Sequence, residues 1–140
     1  MINVSKLREG IVIDHIRAGQ GYKIFQQLGL DKLNDVVVLM RNVSSIRMGK
    51  KDLIKIETRL ELDFDVLGLI DPGVTVTYVK DGEQVGKLCP EAPTAVVGIL
   101  QCKNPRCVSN QERLDKVHFT LVNEDRLLYA CEYCDAPTQL

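Results

Sequence analysis

The sequence predicts an α+β protein made of two units: a sheet domain with two helices, followed by a small all-β unit. Through residue 88, short β-branched runs alternate with two segments of helical period. Beyond residue 90 every apolar run is strand-like, and four of the five cysteines lie among those runs. The chain has 140 residues, of which 45% are hydrophobic, so it is long enough to bury a core and is not expected to be disordered.

The first three elements follow from changes in apolar period. Residues 11–16, IVIDHI, are short and β-branched and predict a strand. From residue 20, aromatic and aliphatic side chains recur at helical spacing as far as Gly29, which predicts a helix that ends there. Residues 36–41, VVVLMR, predict the second strand.

The next elements show alternation and turn signals. Apolar and charged side chains alternate over residues 51–62, which predicts a strand with one face toward a core and one toward water. Asp63 is suited to cap a short helix that the Pro-Gly turn at 72–73 ends. Residues 74–80 predict the fourth strand, and an Asp-Gly hairpin turn joins it to a further strand, EQVGKL.

The resulting order is β-α-β-β-α-β with one extra hairpin strand. It predicts a ferredoxin-like antiparallel sheet with both helices on one face, which we assign to residues 1–90. Many functions share this topology, so it predicts no particular activity.

The second predicted unit comprises residues 91–140. CPEAP at 89–93 breaks the strand pattern with two prolines and predicts a junction. Three strand-like runs follow, at 95–100, 117–122 and 126–133. A unit of about fifty residues rarely buries enough apolar surface to be stable alone, so it is expected to need a metal or a disulfide.

Four cysteines have the spacing of a structural zinc site. Cys102 and Cys107 form a C-x4-C pair, and Cys131 and Cys134 form a C-x2-C pair. Four thiolates satisfy the tetrahedral preference of Zn²⁺ and leave no position open for substrate, which predicts one structural zinc per chain in a zinc-ribbon-like unit. Two disulfides, or iron in a rubredoxin-like site, are the alternatives. Cys89 is expected to be a small buried hydrophobe rather than a reactive thiol.

The composition disfavours several classes of protein. The 18 Lys and Arg against 19 Asp and Glu give a net charge of −1, without the basic excess of a nucleic-acid-binding protein. No apolar run is long enough to span a membrane, and the N-terminal residues show no secretion signal. We therefore expect a cytoplasmic protein with neither a nucleic-acid nor a membrane partner.

Several stretches together resemble the regulatory chain of aspartate carbamoyltransferase. They are GIVIDHI at 10–16, GKKDLIKIE at 49–57, VGK at 85–87 and the two cysteine pairs, in that order. Each motif is weak by itself, but their order and spacing together are highly specific. The resemblance implies a non-catalytic chain in pyrimidine biosynthesis, with an N-terminal nucleotide-binding allosteric domain and a C-terminal zinc domain that grips a separate catalytic chain.

The resemblance also implies ligands and an assembly. CTP and UTP are expected to inhibit and ATP to activate, with Mg²⁺ accompanying the nucleotides. Homodimers formed through the N-terminal domain are expected to bridge catalytic trimers, giving a heterododecamer of two catalytic trimers and three regulatory dimers.

The candidates for nucleotide binding lie on the predicted sheet. Lys51 and Lys55 are four apart on a strand and share a face, so their ammonium groups can hold a triphosphate. Without the resemblance, a solvated strand face is the simpler interpretation. Lys87 can join them if its strand lies alongside, and Asp14 can accept hydrogen bonds from a base or a ribose. The resemblance assigns nucleotide binding to these four residues and to Val4.

Some positions depart from the family's pattern: Ser5, Thr77, Gly82 and Gln84. In the family these positions lie against the base and sugar. The resemblance therefore supports phosphate binding more strongly than a choice between CTP and ATP.

Two functions of other classes compete with this one. A zinc-containing RNA-binding module needs aromatic residues on its middle strands, and residues 51–62 contain none. A small enzyme needs a nucleophile and a base. The only histidines are His15 and His118, and His15 follows Asp14 in a strand, so those two side chains are expected to face opposite ways.

Overall fold

The computed structural model describes residues 8–140, and the first part of the chain forms an antiparallel sheet with two helices. Its elements are β1 (Gly10–Arg17), α1 (Gly21–Gln27), a 3₁₀ turn (Leu30–Lys32), β2 (Val37–Ser45), β3 (Gly49–Ile56), α2 (Phe64–Ile70), β4 (Thr75–Lys80) and β5 (Glu83–Leu88). The five strands are arranged in the order β2-β3-β1-β4-β5. The predicted α+β class is confirmed.

The second part of the chain forms a smaller, four-stranded sheet. Its elements are β6 (Ala95–Val97), α3 (Val108–Gln111), β7 (His118–Asn123), β8 (Leu128–Cys131) and β9 (Pro137–Thr138), and its strands follow one another in chain order. Phe119 and Tyr129 are fully buried at its centre, beside the cysteines. No helix among the described residues is long and apolar enough to cross a membrane.

The first sheet separates an apolar face from a polar one. In β3, Ile54 and Ile56 are fully buried, whereas Lys51 and Lys55 are half-buried on the opposite face. Both helices contribute to the core on the apolar side. Asp63 caps α2 as predicted, because its Oδ1 accepts hydrogen bonds from two backbone N–H groups of the first turn, at 3.1 and 3.2 Å. The face that carries the two lysines is thus left accessible.

Some element boundaries differ from those predicted. β3 ends at Ile56 rather than at Leu62, yet Leu62 is still buried in the core. Alternation cannot distinguish a strand from an irregular segment that also turns every second side chain inward. β2 extends to Ser45 because its pairing with β3 continues into the hairpin. β6 ends at Val97, since Gly98 takes a φ of +75°, which lies outside the strand region.

The two sheets share apolar contacts across the junction. Leu69 of α2 packs into the core of the second sheet, and Ile99 and Leu140 contact both cores. The hydroxyl of Tyr129 donates a hydrogen bond to the carbonyl oxygen of Pro93 in the junction, at 2.6 Å. The junction is therefore fixed to the second sheet by a polar contact, and the two sheets are joined by apolar packing.

Cys89, at the start of the junction, is exposed, so the expectation of a buried thiol is wrong. It follows β5, an edge strand whose residues are all exposed. Within residues 8–140, no element covers the point at which the chain leaves that edge.

Replacing Tyr129 with phenylalanine is expected to flatten the pH dependence of unfolding in alkaline solution. Burial, together with the charges of Asp65 and Glu124, raises the pKa of Tyr129 to about 12, from about 10 in the unfolded chain. Because the folded pKa is the higher one, the neutral phenol stabilises the protein below about pH 10, and this contribution is lost as the pH rises toward 12. Between about pH 10 and pH 12, the midpoint temperature of thermal unfolding should fall more steeply in the parent chain than in Tyr129→Phe. Parallel profiles of unfolding temperature against pH for the two chains would contradict the raised pKa of Tyr129.

Candidate functional sites

The four cysteines of the second unit converge on one point. Their sulfur atoms all lie within 4.8 Å of one another. The Sγ atoms of Cys102 and Cys134 are 3.5 Å apart, and those of Cys107 and Cys131 are 3.7 Å apart. A tetrahedral centre with metal–sulfur bonds of about 2.3 Å places its sulfurs about 3.8 Å apart. The donor set and its spacing therefore fit a zinc ion with no open coordination position.

The disulfide alternative fits the geometry less well. All four cysteines are free thiols, and their closest separations exceed the disulfide length of about 2.05 Å. Each close pair also joins one cysteine motif to the other, which is consistent with one metal ion shared by all four thiolates.

The helical turn α3 supports the first cysteine pair. Buried Ser109 has its hydroxyl 3.0 Å from the Sγ of Cys107, and this hydrogen bond lowers the pKa of the Cys107 thiol. Burial raises the pKa of Cys102. The side-chain amide of Asn110 donates to the carbonyl oxygens of Cys102 at 2.8 Å and Asn104 at 2.7 Å. These contacts hold the loop between the first two cysteines in one conformation.

On the polar face of the first sheet, Lys51 and Lys55 lie near Asp14. The Nζ of Lys51 is 2.8 Å from the Oδ1 of Asp14. Burial raises the pKa of Asp14, but the hydrogen bonds from Lys51 and from the N–H of His15, with the charges of both residues, outweigh it and lower the pKa. Asp14 is therefore ionised at neutral pH and holds the Lys51 ammonium group in place.

Lys87 lies on the same face, but its strand is not beside β3. Cross-strand pairing places Lys55, Val12, Thr77 and Lys87 in one row across β3, β1, β4 and β5. Since adjacent strands are about 4.8 Å apart, the backbones at the two ends of this row are separated by about 14 Å. The condition that the strand of Lys87 lie alongside is not met. A ligand that contacts both Lys55 and Lys87 must therefore extend across Val12 and Thr77.

A β-bulge changes the direction of His15. The register of β1 shifts between Ile13 and Ile16, and His15 takes a φ of 58°. The Nδ1 of His15 lies 3.0 Å from the Oγ1 of Thr75, which is the residue opposite Asp14. The expectation that Asp14 and His15 face opposite ways is therefore wrong, because the bulge interrupts the alternation.

The remaining positions singled out by the resemblance are scattered. Val4 and Ser5 lie outside the described residues. Thr77 is buried within the row across the sheet, Gly82 lies in the turn between β4 and β5, and Gln84 is exposed on β5.

Comparison with known proteins assigns both halves of the chain to one family. The family described as "Aspartate carbamoyltransferase regulatory chain, allosteric domain" matches residues 2–91, and its "metal binding domain" matches residues 94–139. The chain belongs to the aspartate carbamoyltransferase regulatory chains. The predicted family is confirmed.

Curated relatives named aspartate carbamoyltransferase regulatory chain match nearly the full length. The chain from Clostridium botulinum strain Hall is 42% identical over 135 residues, which cover 96% of this chain and 92% of the relative. The Clostridium tetani chain is 42% identical, covering 96% and 94%, and the Bifidobacterium longum chain is 40% identical, covering 99% and 100%. As a regulatory chain, the protein is a non-catalytic subunit.

The two matched regions divide the two sites between them. The metal-binding domain of this regulatory chain contains the whole cysteine cluster. The allosteric domain contains the polar face with Asp14, Lys51, Lys55 and Lys87.

Some residues that shape these sites have weak sequence signals. Ser109 and Asn110 follow Cys107 directly, but a Ser-Asn pair after a cysteine is too common to indicate a role. Asp52 is fully buried in the same phase of β3 as the buried isoleucines. An acidic residue in the apolar phase of an alternating strand does carry a signal, since it requires buried hydrogen-bond donors.

Proposed function

We propose that the polar face of the first sheet binds the nucleotide effectors of aspartate carbamoyltransferase, CTP and UTP as inhibitors and ATP as activator, with Mg²⁺. The observation that carries this proposal is the group of Lys51, Lys55 and Asp14 on one accessible face of the allosteric domain. Two ammonium groups on one strand suit a polyphosphate. Asp14 orients one of them before a ligand arrives.

The same face offers contacts for the rest of a nucleotide. Half-buried Val12 lies in the row between Lys55 and Thr77 and provides an apolar surface for a base or ribose. Lys87 lies at the far end of that row. Two extended lysine side chains and a nucleotide together span the separation of about 14 Å. We include Val4 in this site on the resemblance alone.

The cysteine cluster is proposed to hold one structural zinc ion per chain, bound by Cys102, Cys107, Cys131 and Cys134. The sulfur separations support this assignment. When bound, zinc would supply cross-linking rather than chemistry, since its four positions are filled. We place the domain boundary between residues 90 and 91. The metal-supported unit that follows is proposed to contact the catalytic chain.

The proposed assembly follows the family: homodimers through the N-terminal domain, which bridge two catalytic trimers into a heterododecamer in the cytoplasm. One feature supports the homodimer. Among residues 8–140, β2 has a strand on one side only, and Val36 beside it is 60% exposed. An unpaired edge with an apolar flank is suited to pairing with a second chain.

Reconstitution with a catalytic chain of aspartate carbamoyltransferase tests this function. The isolated regulatory chain should form no carbamoyl aspartate. Added to catalytic trimers, it should raise the particle mass in light scattering and make carbamoyl aspartate formation respond to CTP, UTP and ATP. If the complex forms but its rate of carbamoyl aspartate formation does not change with CTP, UTP or ATP, the effector assignment would be overturned. Failure to form a complex would overturn the subunit assignment.

A further inference from the structure

Asp52 is a fully buried carboxylate within β3. Its Oδ2 accepts hydrogen bonds from the backbone N–H groups of Gly19 at 3.1 Å and Gly21 at 3.0 Å, and its Oδ1 accepts one from Asn42 at 3.0 Å. The donors belong to two separate segments, residues 19–21 at the start of α1 and the strand β2. One side chain thus joins three parts of the first sheet.

The two segments held by Asp52 flank β3 where the pairing is irregular. The register of β1 shifts before Ile16, which pairs with Asp52, and the register of β2 shifts before Val43, which pairs with Lys51. Both bulges therefore lie level with residues 52–53 of β3, next to Lys51. This is also the point at which Lys51 meets Asp14 on the other face.

No local interaction replaces these contacts. Gln20 is the N-cap residue of α1 and makes no side-chain capping bond, so Asp52 provides the acceptor from another strand. At Gly21 an added Cβ would lie 2.8 Å from the Oδ2 of Asp52. The absence of a side chain at Gly21 is what allows the carboxylate to reach the start of the helix.

The bulge in β1 determines which side chains reach the polar face. Ile13 and Ile16 are both fully buried, which a regular strand cannot achieve for residues three apart. The extra residue in the bulge allows both isoleucines to point into the core and turns Asp14 and His15 away from it. Restoring a regular register would move Asp14 relative to Lys51.

We propose that Asp52 is a positioning residue for the nucleotide site: from the core side of the sheet, it holds the bulge of β2 and the loop that follows the bulged strand β1, and so fixes the segments that aim Asp14 and Lys51 at a ligand. The inference rests on the proposed function of that face. It assigns to a residue without ligand contact a share of the nucleotide affinity.

Asp52→Asn tests the proposal with the side-chain shape preserved. The amide replaces one acceptor oxygen by a donor, so at least one buried N–H loses its partner. In titration calorimetry of the metal-loaded chain, CTP and ATP should bind about three- to tenfold more weakly. Asp63→Asn is the matched control, because it changes another carboxylate that accepts backbone N–H groups, at the start of α2. Its nucleotide affinity should equal that of the parent chain.

A double-mutant cycle with Lys51→Ala separates positioning from general destabilisation. If Asp52 acts through Lys51, the loss caused by Asp52→Asn should nearly vanish when Lys51→Ala is already present. Losses that simply multiply would assign Asp52 a structural role only and overturn the proposal.

Gly21→Ala provides a second variant in case Asp52→Asn does not fold. Its methyl group displaces the carboxylate by contact and should weaken nucleotide binding in the same direction. If the parent chain binds neither CTP nor ATP, the proposed function fails. If the parent binds them and the folded variants at positions 52 and 21 bind equally well, only the positioning role fails.

Discussion

Cys134→Ser is expected to release the metal and unfold the second sheet while the first sheet persists. The second sheet is small, and three of the nine buried residues in its core are cysteines. A structural zinc ion contributes an apparent 10–16 kcal/mol, roughly, which is as much as the whole stability of an ordinary domain. Loss of one thiolate in four removes much of that contribution. Within the described part of the chain, the first sheet has its own core of thirteen buried residues and should remain folded.

Elemental analysis and hydrogen exchange measure the two parts of this result. Metal content should fall from one zinc per chain toward zero, and protection should be lost over residues 95–138 but kept in β1, β3 and β4. Cys89→Ser is the matched control, because Cys89 is exposed and outside the cluster. Chelation of the parent chain should reproduce the effect. A Cys134→Ser chain that keeps its metal and its second sheet would contradict the four-thiolate site, and iron in the parent would revive the rubredoxin-like alternative.

Lys51→Ala is expected to weaken CTP and ATP binding by about tenfold to a hundredfold, because a charge-assisted contact to phosphate contributes about 1.5–3 kcal/mol. The substitution also leaves Asp14 ionised and without its partner at 2.8 Å, so a carboxylate would face the phosphates. Lys55→Ala removes a charge without exposing an acid and should have the smaller effect of the two. Metal content and assembly with the catalytic chain should not change.

Lys50→Ala is the matched control for this measurement. Lys50 precedes Lys51 in β3, so it carries the same charge on the opposite face of the strand, and it is exposed. Titration calorimetry should show parent-like affinity for Lys50→Ala. Equal losses for the two variants would mean that only the overall charge of the hairpin matters and would contradict a built phosphate site.

Local patterns in the sequence predict the parts of both sites that depend on short spacing. The period of two in β3 places Lys51 and Lys55 on one face, since a strand alternates its side chains regardless of its neighbours. The spacing of the cysteine pairs also predicts the chemistry of the cluster. In each case the residues of a single motif lie within a few positions of one another.

The rest depends on contacts between segments far apart in sequence. Whether Lys87 lies near Lys51 depends on strand order. The hairpin turn that predicts β5 places it beside β4 but does not reveal that β1 also lies between it and β3. The pairing of Lys51 with Asp14 depends on a bulge in β1. This bulge allows both Ile13 and Ile16 to be buried, and no turn signal in the sequence predicts it. The exposure of Cys89 likewise depends on tertiary packing, since no element within residues 8–140 packs over the edge strand β5.

The apolar contacts between the two sheets have a consequence for the descent of these chains. Leu69 extends into the second core, while Ile99 and Leu140 return to the first, so each half contains side chains fitted to the other. A recombinant that joined the first half of one lineage to the second half of another would inherit mismatched partners at these positions. The residues on the two sides of this contact are thus expected to have evolved together, with a substitution on one side followed by a compensating substitution on the other.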